Sequence, residues 1–136
     1  MRELRLLNLR EICETEEHCA DVVCSLAESI LNLGFWTVPI AVEYSTFAIM
    51  DGHHRFNAAK NMGLKRVPCV LMDYKTSGVT LQSWRPEISV SVKDIFFMIS
   101  ESKKYPLKTT RHLFHPPVDE INVPVGLLLH TTKTEF

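Results

Sequence analysis

The segment AIMDGHHRFNAAKNMGLKRVPCVLMDY, residues 48–74, constrains the fold more than any other stretch of the chain. A short apolar run ends in Asp51-Gly52, a helical pattern follows, Gly63 closes it, and a β-favouring run begins at Arg66. Phe56, Ala59 and Met62 recur on one side, which predicts a helix over 52–62. The turn before that helix concentrates anion-binding side chains in His53, His54 and Arg55. Gly52 lets the backbone leave the strand sharply and lets a ligand come close. The first helical turn then offers free N–H groups at the positive end of the helix dipole. An arginine suits bidentate phosphate contacts, and two imidazoles add more. Asp51 has the opposite charge, so it suits a Mg²⁺ shared with phosphate oxygens, or the orienting of a histidine. The same residues also fit exposed capping histidines after an ordinary Asp-Gly turn. Neither a Walker A loop nor a G-x-G-x-x-G fingerprint is present.

Upstream, "LRLLNLREI" (4–12) alternates enough to suggest a strand. Val22, Val23, Leu26, Ile30 and Leu33 then predict one helical face, with Thr15 as N-cap, Glu16 and Glu17 in the first turn and Gly34 as the stop. "WTVPIAVEY" (36–44) and "TFAIM" (46–50) read as strands around a turn at Tyr44 to Thr46, and Pro39 suggests an edge position or a bulge. "VTLQSW" (79–84) is a further strand. A helix is expected over 91–102, with Ser91 and Asp94 in capping-box spacing and Ile95, Phe96 and Ile99 facing inward. The tail is expected to be irregular, with one short strand near Val125 to Leu129. These elements predict a single α+β domain over 1–136 with a small mixed sheet.

With 46% hydrophobic residues in 136, one core is affordable and a second domain is not expected. The formal net charge of −1 excludes a global basic field for nucleic acid. No run of about 18 apolar residues is present to span a membrane. The N-terminal "MRELRLLNLREICE" lacks the apolar stretch of a secretory signal, so a cytoplasmic protein is expected. Cysteines at 13, 19, 24 and 69 form no C-x-x-C spacing and are expected to be small buried hydrophobes.

The segment 48–74 resembles the phosphate-binding core of the ParB/sulfiredoxin superfamily, a strand–turn–helix ending in an arginine. Its D-G-H-H-R form is similar to that of the free serine kinases, which convert L-serine to O-phospho-L-serine. The likeness continues through "WTVPI", "SWRPEISVSVKDI", "YPLKTTRHLF" and "INVPVGLL", about residues 10 to 129. It implies a ParB/sulfiredoxin-like domain that takes ATP, or ADP, with Mg²⁺. The phosphates would lie over Gly52, His53, His54 and Arg55, with Asp51 beside the metal. Serine would sit against Trp84 and the group Thr109, Thr110, Arg111 and His112, with Lys108 beside them, where a substrate carboxylate would find cations and hydroxyls. The resemblance also implies a glutamate base before the first helix. Glu16 gives the most natural register, and Glu14 or Glu17 takes the role if the loop length differs. Read without it, the tail group is a solvated basic loop, Trp84 is core, Arg85 is a surface charge or a ligand, and the glutamates serve the helix dipole.

Three rivals accompany this expectation. A ParB-like nucleic-acid module would need a helix-turn-helix after the core, and no nucleic-acid partner is expected. A sulfiredoxin-like reductase needs a cysteine in the phosphate turn, whereas this turn reads "GHHR". Cys69 lies fourteen residues past Arg55. A non-catalytic nucleotide-binding regulator would keep the turn without turnover. The sequence sets neither the donor, the hydroxy amino acid accepted, nor the oligomeric state.

Overall fold

A computed structural model describes residues 2–130. The expected single domain over 1–136 therefore includes residue 1 and residues 131–136, which lie outside the described residues. The chain runs β1 (Arg2–Asn8), a 3₁₀ turn (Leu9–Glu11), α1 (Ala20–Leu33), β2 (Phe35–Trp36), β3 (Ile40–Glu43), β4 (Ile49–Asp51) and α2 (His53–Asn61). It continues through β5 (Arg66–Met72), β6 (Val79–Ser83), α3 (Val92–Ser100), β7 (Thr110–Phe114), β8 (Val123–Pro124) and a 3₁₀ turn (Val125–Leu129).

The central sheet has the order β1-β5-β3-β4. β3 and β5 are parallel, while the β1–β5 and β3–β4 pairs are antiparallel, so the fold is α+β with a mixed sheet, as expected. Alternation along the strands sends side chains to two buried faces. On one face Ile40, Val42, Val67, Cys69 and Leu71 meet Val23, Ala27 and Ile30 of α1 and Phe56, Ala58 and Ala59 of α2. On the other, Ala41, Met50, Val70 and Met72 pack with Tyr74, Val79 and Phe114, under the antiparallel β6–β7 pair. The layers are therefore helices, central sheet and the two-stranded β6–β7 sheet. Phe56 is essentially sealed in the first of these cores. Phe56→Ala should lower unfolding free energy by about 3–5 kcal/mol, read from urea titrations.

Several expectations need correction. The first strand is β1, Arg2–Asn8, and residues 9–11 form the 3₁₀ turn. α1 starts at Ala20 with Cys19 at its N-cap, so Thr15, Glu16 and Glu17 precede it in an extended loop. That loop bridges Ala48 at Cys13 and Tyr105 at Glu16, and these tertiary partners compete successfully with helix formation. On α1, Val22 and Leu33 are exposed, and Ala27 takes the buried position instead. Pro39 stands between β2 and β3, and β3 is an interior strand. Pro68, inside β5, is tolerated because β5 pairs with β3 only from Cys69 onward. Phe96 is exposed, although Ile95 is buried and the Ser91–Asp94 capping box forms. The tail holds β7 where irregular chain was expected. Val125–Leu129 is 3₁₀, because Val125 and Leu128, three apart, both turn inward. Of the cysteines only Cys69 is buried, with its thiol pushed up to about 12 by burial, and Cys24 is exposed.

Candidate active site

Gly52 joins β4 to α2 at φ 111°, and a Cβ there would come within 3.2 Å of Ile40 Cγ1. Both the positive φ and the close approach require glycine. No side chain caps α2, and its first turn holds no acidic residue, so its N–H groups face outward to whatever anion arrives. Arg55, half-buried in that turn, makes no hydrogen bond or ion pair among the described residues. Its guanidinium, beside the Asp51 carboxylate, and the α2 N-terminus together suit an anion.

A cavity of about 280 Å³ opens over this turn. One wall is Glu16, Met50, Asp51, Gly52, His53, His54 and Arg55, and the other is Trp84, Lys108 and Thr110. The cavity brings together most of the residues singled out in the sequence, from four separate chain segments. Its size suits phosphates with a small acceptor.

The two histidines do a second job. Thr15 N–H donates to His53 Nε2 at 3.1 Å, and Cys19 N–H donates to His54 Nε2 at 3.0 Å. An Nε2 that accepts a backbone proton leaves the ring proton on Nδ1. Both imidazoles are thus neutral Nδ1–H donors that clamp the 13–19 loop onto α2. Burial pushes His53 down to about 4, and burial followed by the neighbouring His18 charge lowers His54. Cationic histidines gripping phosphate through Nε2 are not what this geometry offers.

The clamped loop presents Glu16. Its Oε1 accepts from Thr109 N–H at 3.0 Å, Thr110 N–H at 2.8 Å and the Thr110 hydroxyl at 3.1 Å. Among the described residues Oε2 takes no hydrogen bond. Three donors on one oxygen orient the carboxylate and leave the other available. Glu14 is used elsewhere: its Oε1 accepts from Asn57 Nδ2 at 2.8 Å, and Oε2 pairs with Lys60 and Lys104 at 3.1 and 3.7 Å. Burial raises the Glu14 pKa, but those hydrogen bonds and charges outweigh it and hold the carboxyl below its ordinary range. Glu17 is exposed and does not line the cavity.

Asp51, exposed beside the turn, has its pKa raised by partial desolvation, against the pull of Arg55 and the Gly52 N–H. Among the described residues no group of three or more ligating side chains could hold a metal by itself. One carboxylate next to a phosphate receptor does suit Mg²⁺, which keeps several waters and shares phosphate oxygens.

Three residues of the tail group stand behind the wall. Thr109 is buried, with its hydroxyl donating to the Pro106 carbonyl at 2.6 Å. The Arg111 guanidinium lies 4.3 Å from the Trp84 ring centroid and fixes that ring. His112, on the other face of β7, pairs through Nε2 with the Tyr74 hydroxyl at 2.8 Å. None of the three lines the cavity: Thr109 is held by Pro106, Arg111 alternates to the face of β7 opposite Thr110, and His112, on the Thr110 face, is taken up by Tyr74. Trp84 itself is exposed and walls the cavity, and Arg85 donates to the Leu107 carbonyl at 2.6 Å, tying the Trp84 loop to the Lys108 loop. Lys108, grouped with these residues in the sequence, does line the cavity. Its φ of 54°, rare outside glycine, is a strain that a linear reading cannot see. Arg55→Ala should weaken binding of inorganic pyrophosphate, a probe for an anion site at this turn, about tenfold or more while leaving the melting temperature near wild type, measured by calorimetric titration.

The sequence profile of the ParB N-terminal domain matches residues 3–83, which contain the phosphate turn and the Glu16 loop. The chain belongs to the ParB N-terminal domain family. Within that family it is 31% identical, over 103 residues, to an ATP-dependent L-serine kinase of Staphylothermus marinus, a match covering 73% of this chain and 40% of the relative. It is 29% identical over 72 residues to an ADP-dependent L-serine kinase of Thermococcus kodakarensis, covering 50% of this chain and 30% of the relative. The chain thus spans well under half the length of these curated relatives. A solved free serine kinase variant in complex with AMP superposes with a TM-score of 0.83 at 15% identity, over 92% of this chain and 93% of that one. This likeness shows that the ParB-N-like fold extends past residue 83, through β7 and the tail. Among the described residues no helix is long and apolar enough to cross a membrane.

Proposed function

We propose that this ParB N-terminal domain protein is a nucleotide-dependent kinase of free L-serine, forming O-phospho-L-serine from ATP or ADP. The observation that carries the reading is Glu16, held by Thr109 and Thr110 through Oε1 with Oε2 unpartnered, in one cavity with Arg55 and the uncapped α2 N-terminus. A base and an anion receptor facing one small space are what transfer to an alcohol requires. The names of the Staphylothermus and Thermococcus relatives supply the acceptor and both donors.

In this mechanism the α2 N–H groups, the Nδ1–H of His53 and His54 and the Arg55 guanidinium hold phosphate oxygens. Lys108 supplies the cation for the serine carboxylate, and Trp84 bounds the acceptor side. Serine Oγ attacks the terminal phosphorus while the bond to the nucleotide oxygen breaks. Its proton passes to Glu16 Oε2, and the nucleotide leaves one phosphate shorter. Mg²⁺ held by Asp51 would neutralise developing charge on the phosphates.

The test is to incubate the protein with Mg²⁺, ATP or ADP, and L-serine, L-threonine or L-homoserine in turn, with mass spectrometry of the products. O-phosphoserine with one donor and little product from the larger alcohols is expected. Nucleotide binding without phosphorylation of any of the three would overturn the kinase reading in favour of a regulator.

A further inference from the structure

A second cavity, of about 470 Å³, opens at the carboxyl ends of β3 and β5. These parallel strands finish together, with Glu43 opposite Met72. Asp51 instead lies opposite Ala41, toward the start of β3, so the phosphate turn and this cavity occupy opposite ends of the sheet. The carboxyl end of parallel strands is a common place for a ligand crevice.

The lining combines carboxylates and aromatic rings: Glu43, Asp73, Tyr44, Tyr74 and Phe96. Glu43 is only 3% exposed. Its Oε1 accepts from the N–H and hydroxyl of Ser45, at 3.0 and 2.6 Å, and of Thr46, at 2.8 and 2.9 Å. These bonds explain one oxygen as the organiser of the Tyr44–Thr46 turn. Among the described residues Oε2 takes no hydrogen bond, which leaves it free on the cavity side of an otherwise buried residue. Beside it the Tyr74 and Phe96 rings meet edge to face at 6.4 Å. The Tyr74 hydroxyl is already engaged by His112, so its ring is held in place. Tyr44 and Phe96 are 45% and 36% exposed, apolar surface left open beside the Glu43 carboxylate.

We propose that this cavity binds a small alkylammonium ion, with the ammonium group against Glu43 Oε2 and Asp73 and the methylenes against Tyr44, Tyr74 and Phe96. A carboxylate flanked by ring faces is the arrangement that recognises an organic cation and discriminates against anions. The site is independent of the phosphoryl-transfer reading, since none of its lining residues belongs to the first cavity.

The test is an NMR titration of the nucleotide-free protein with n-butylammonium chloride, alongside sodium butyrate and sodium chloride at matched ionic strength. Saturable shifts at Tyr44, Tyr74, Phe96 and residues 43–46 are expected with butylammonium alone. Glu43→Gln, which keeps an Oε1 acceptor for the turn, and Phe96→Ala, on an exposed position, should each bind about tenfold more weakly. Shifts that never saturate, equal shifts with butyrate, unchanged binding in Glu43→Gln or shifts confined to residues 51–55 would each overturn the proposal.

Discussion

Glu16→Gln should lower O-phosphoserine formation by about 10²–10⁴-fold while nucleotide binding stays within a few-fold of wild type. Glutamine keeps an oxygen to accept the Thr109 and Thr110 donors, so the loop and β7 remain docked. What it removes is the oxygen that takes the serine proton. Glu16→Ala should be equally inactive and also less stable, by about 1–3 kcal/mol, because it strands buried donors on β7. Product assays and urea titrations on the two variants separate chemistry from folding. Wild-type-like turnover in Glu16→Gln would remove the carboxylate from the mechanism, and the engaged position of Glu14 makes it a poor substitute.

The second large effect is acid lability of the fold. His53 and His112 are held neutral by burial, pushed down to about 4 and about 3 from an ordinary 6.5. Above pH 6.5 neither the folded nor the unfolded chain protonates them, and their contribution is flat. Below it the unfolded chain binds protons that the folded chain refuses, so stability is lost as pH falls. Each imidazole should cost about 1.4 kcal/mol per pH unit, His53 between pH 6.5 and 4 and His112 between pH 6.5 and 3. Urea unfolding across this range should show about twice that slope, and His112→Asn about half of the wild-type slope. Stability independent of pH from 6.5 to 4 would mean that these rings are solvated. Protonation of His53 also breaks its acceptor role toward Thr15 N–H, so activity should fall on the same side of neutrality.

The features legible in the sequence are those decided locally. Gly34, Gly52 and Gly63 punctuate α1 and α2, and all three have positive φ. Ser91 and Asp94 announce α3 three residues apart, and both capping bonds form at 3.0 and 3.1 Å. The D-G-H-H-R turn is likewise one continuous segment, and it sits in the cavity. What escaped a linear reading depends on partners far along the chain. The acidic run "ETEE" looks like a helix start. Glu14 is instead spent on Asn57, 43 residues away, and Glu16 on Thr110, 94 residues away. The strand β7 lacks a clean apolar alternation because one of its faces carries Arg111 against Trp84 and the other the polar His112 against Tyr74. Alternation separates Thr110 from Arg111, and the Tyr74 hydroxyl takes up His112 on the Thr110 face. Lys108 and Thr110 line the cavity, while Thr109, Arg111 and His112 brace it. The histidines were legible as site residues, but their tautomer was not, since it is set by the N–H groups of Thr15 and Cys19.

The most direct test of the central claim is a ³¹P NMR time course of the protein with L-serine, Mg²⁺ and ATP or ADP. The account predicts a growing phosphomonoester resonance assignable to O-phosphoserine, matched one for one by the nucleotide that has lost its terminal phosphate. Release of inorganic phosphate alone, or no loss of nucleotide signal with either donor, would contradict it.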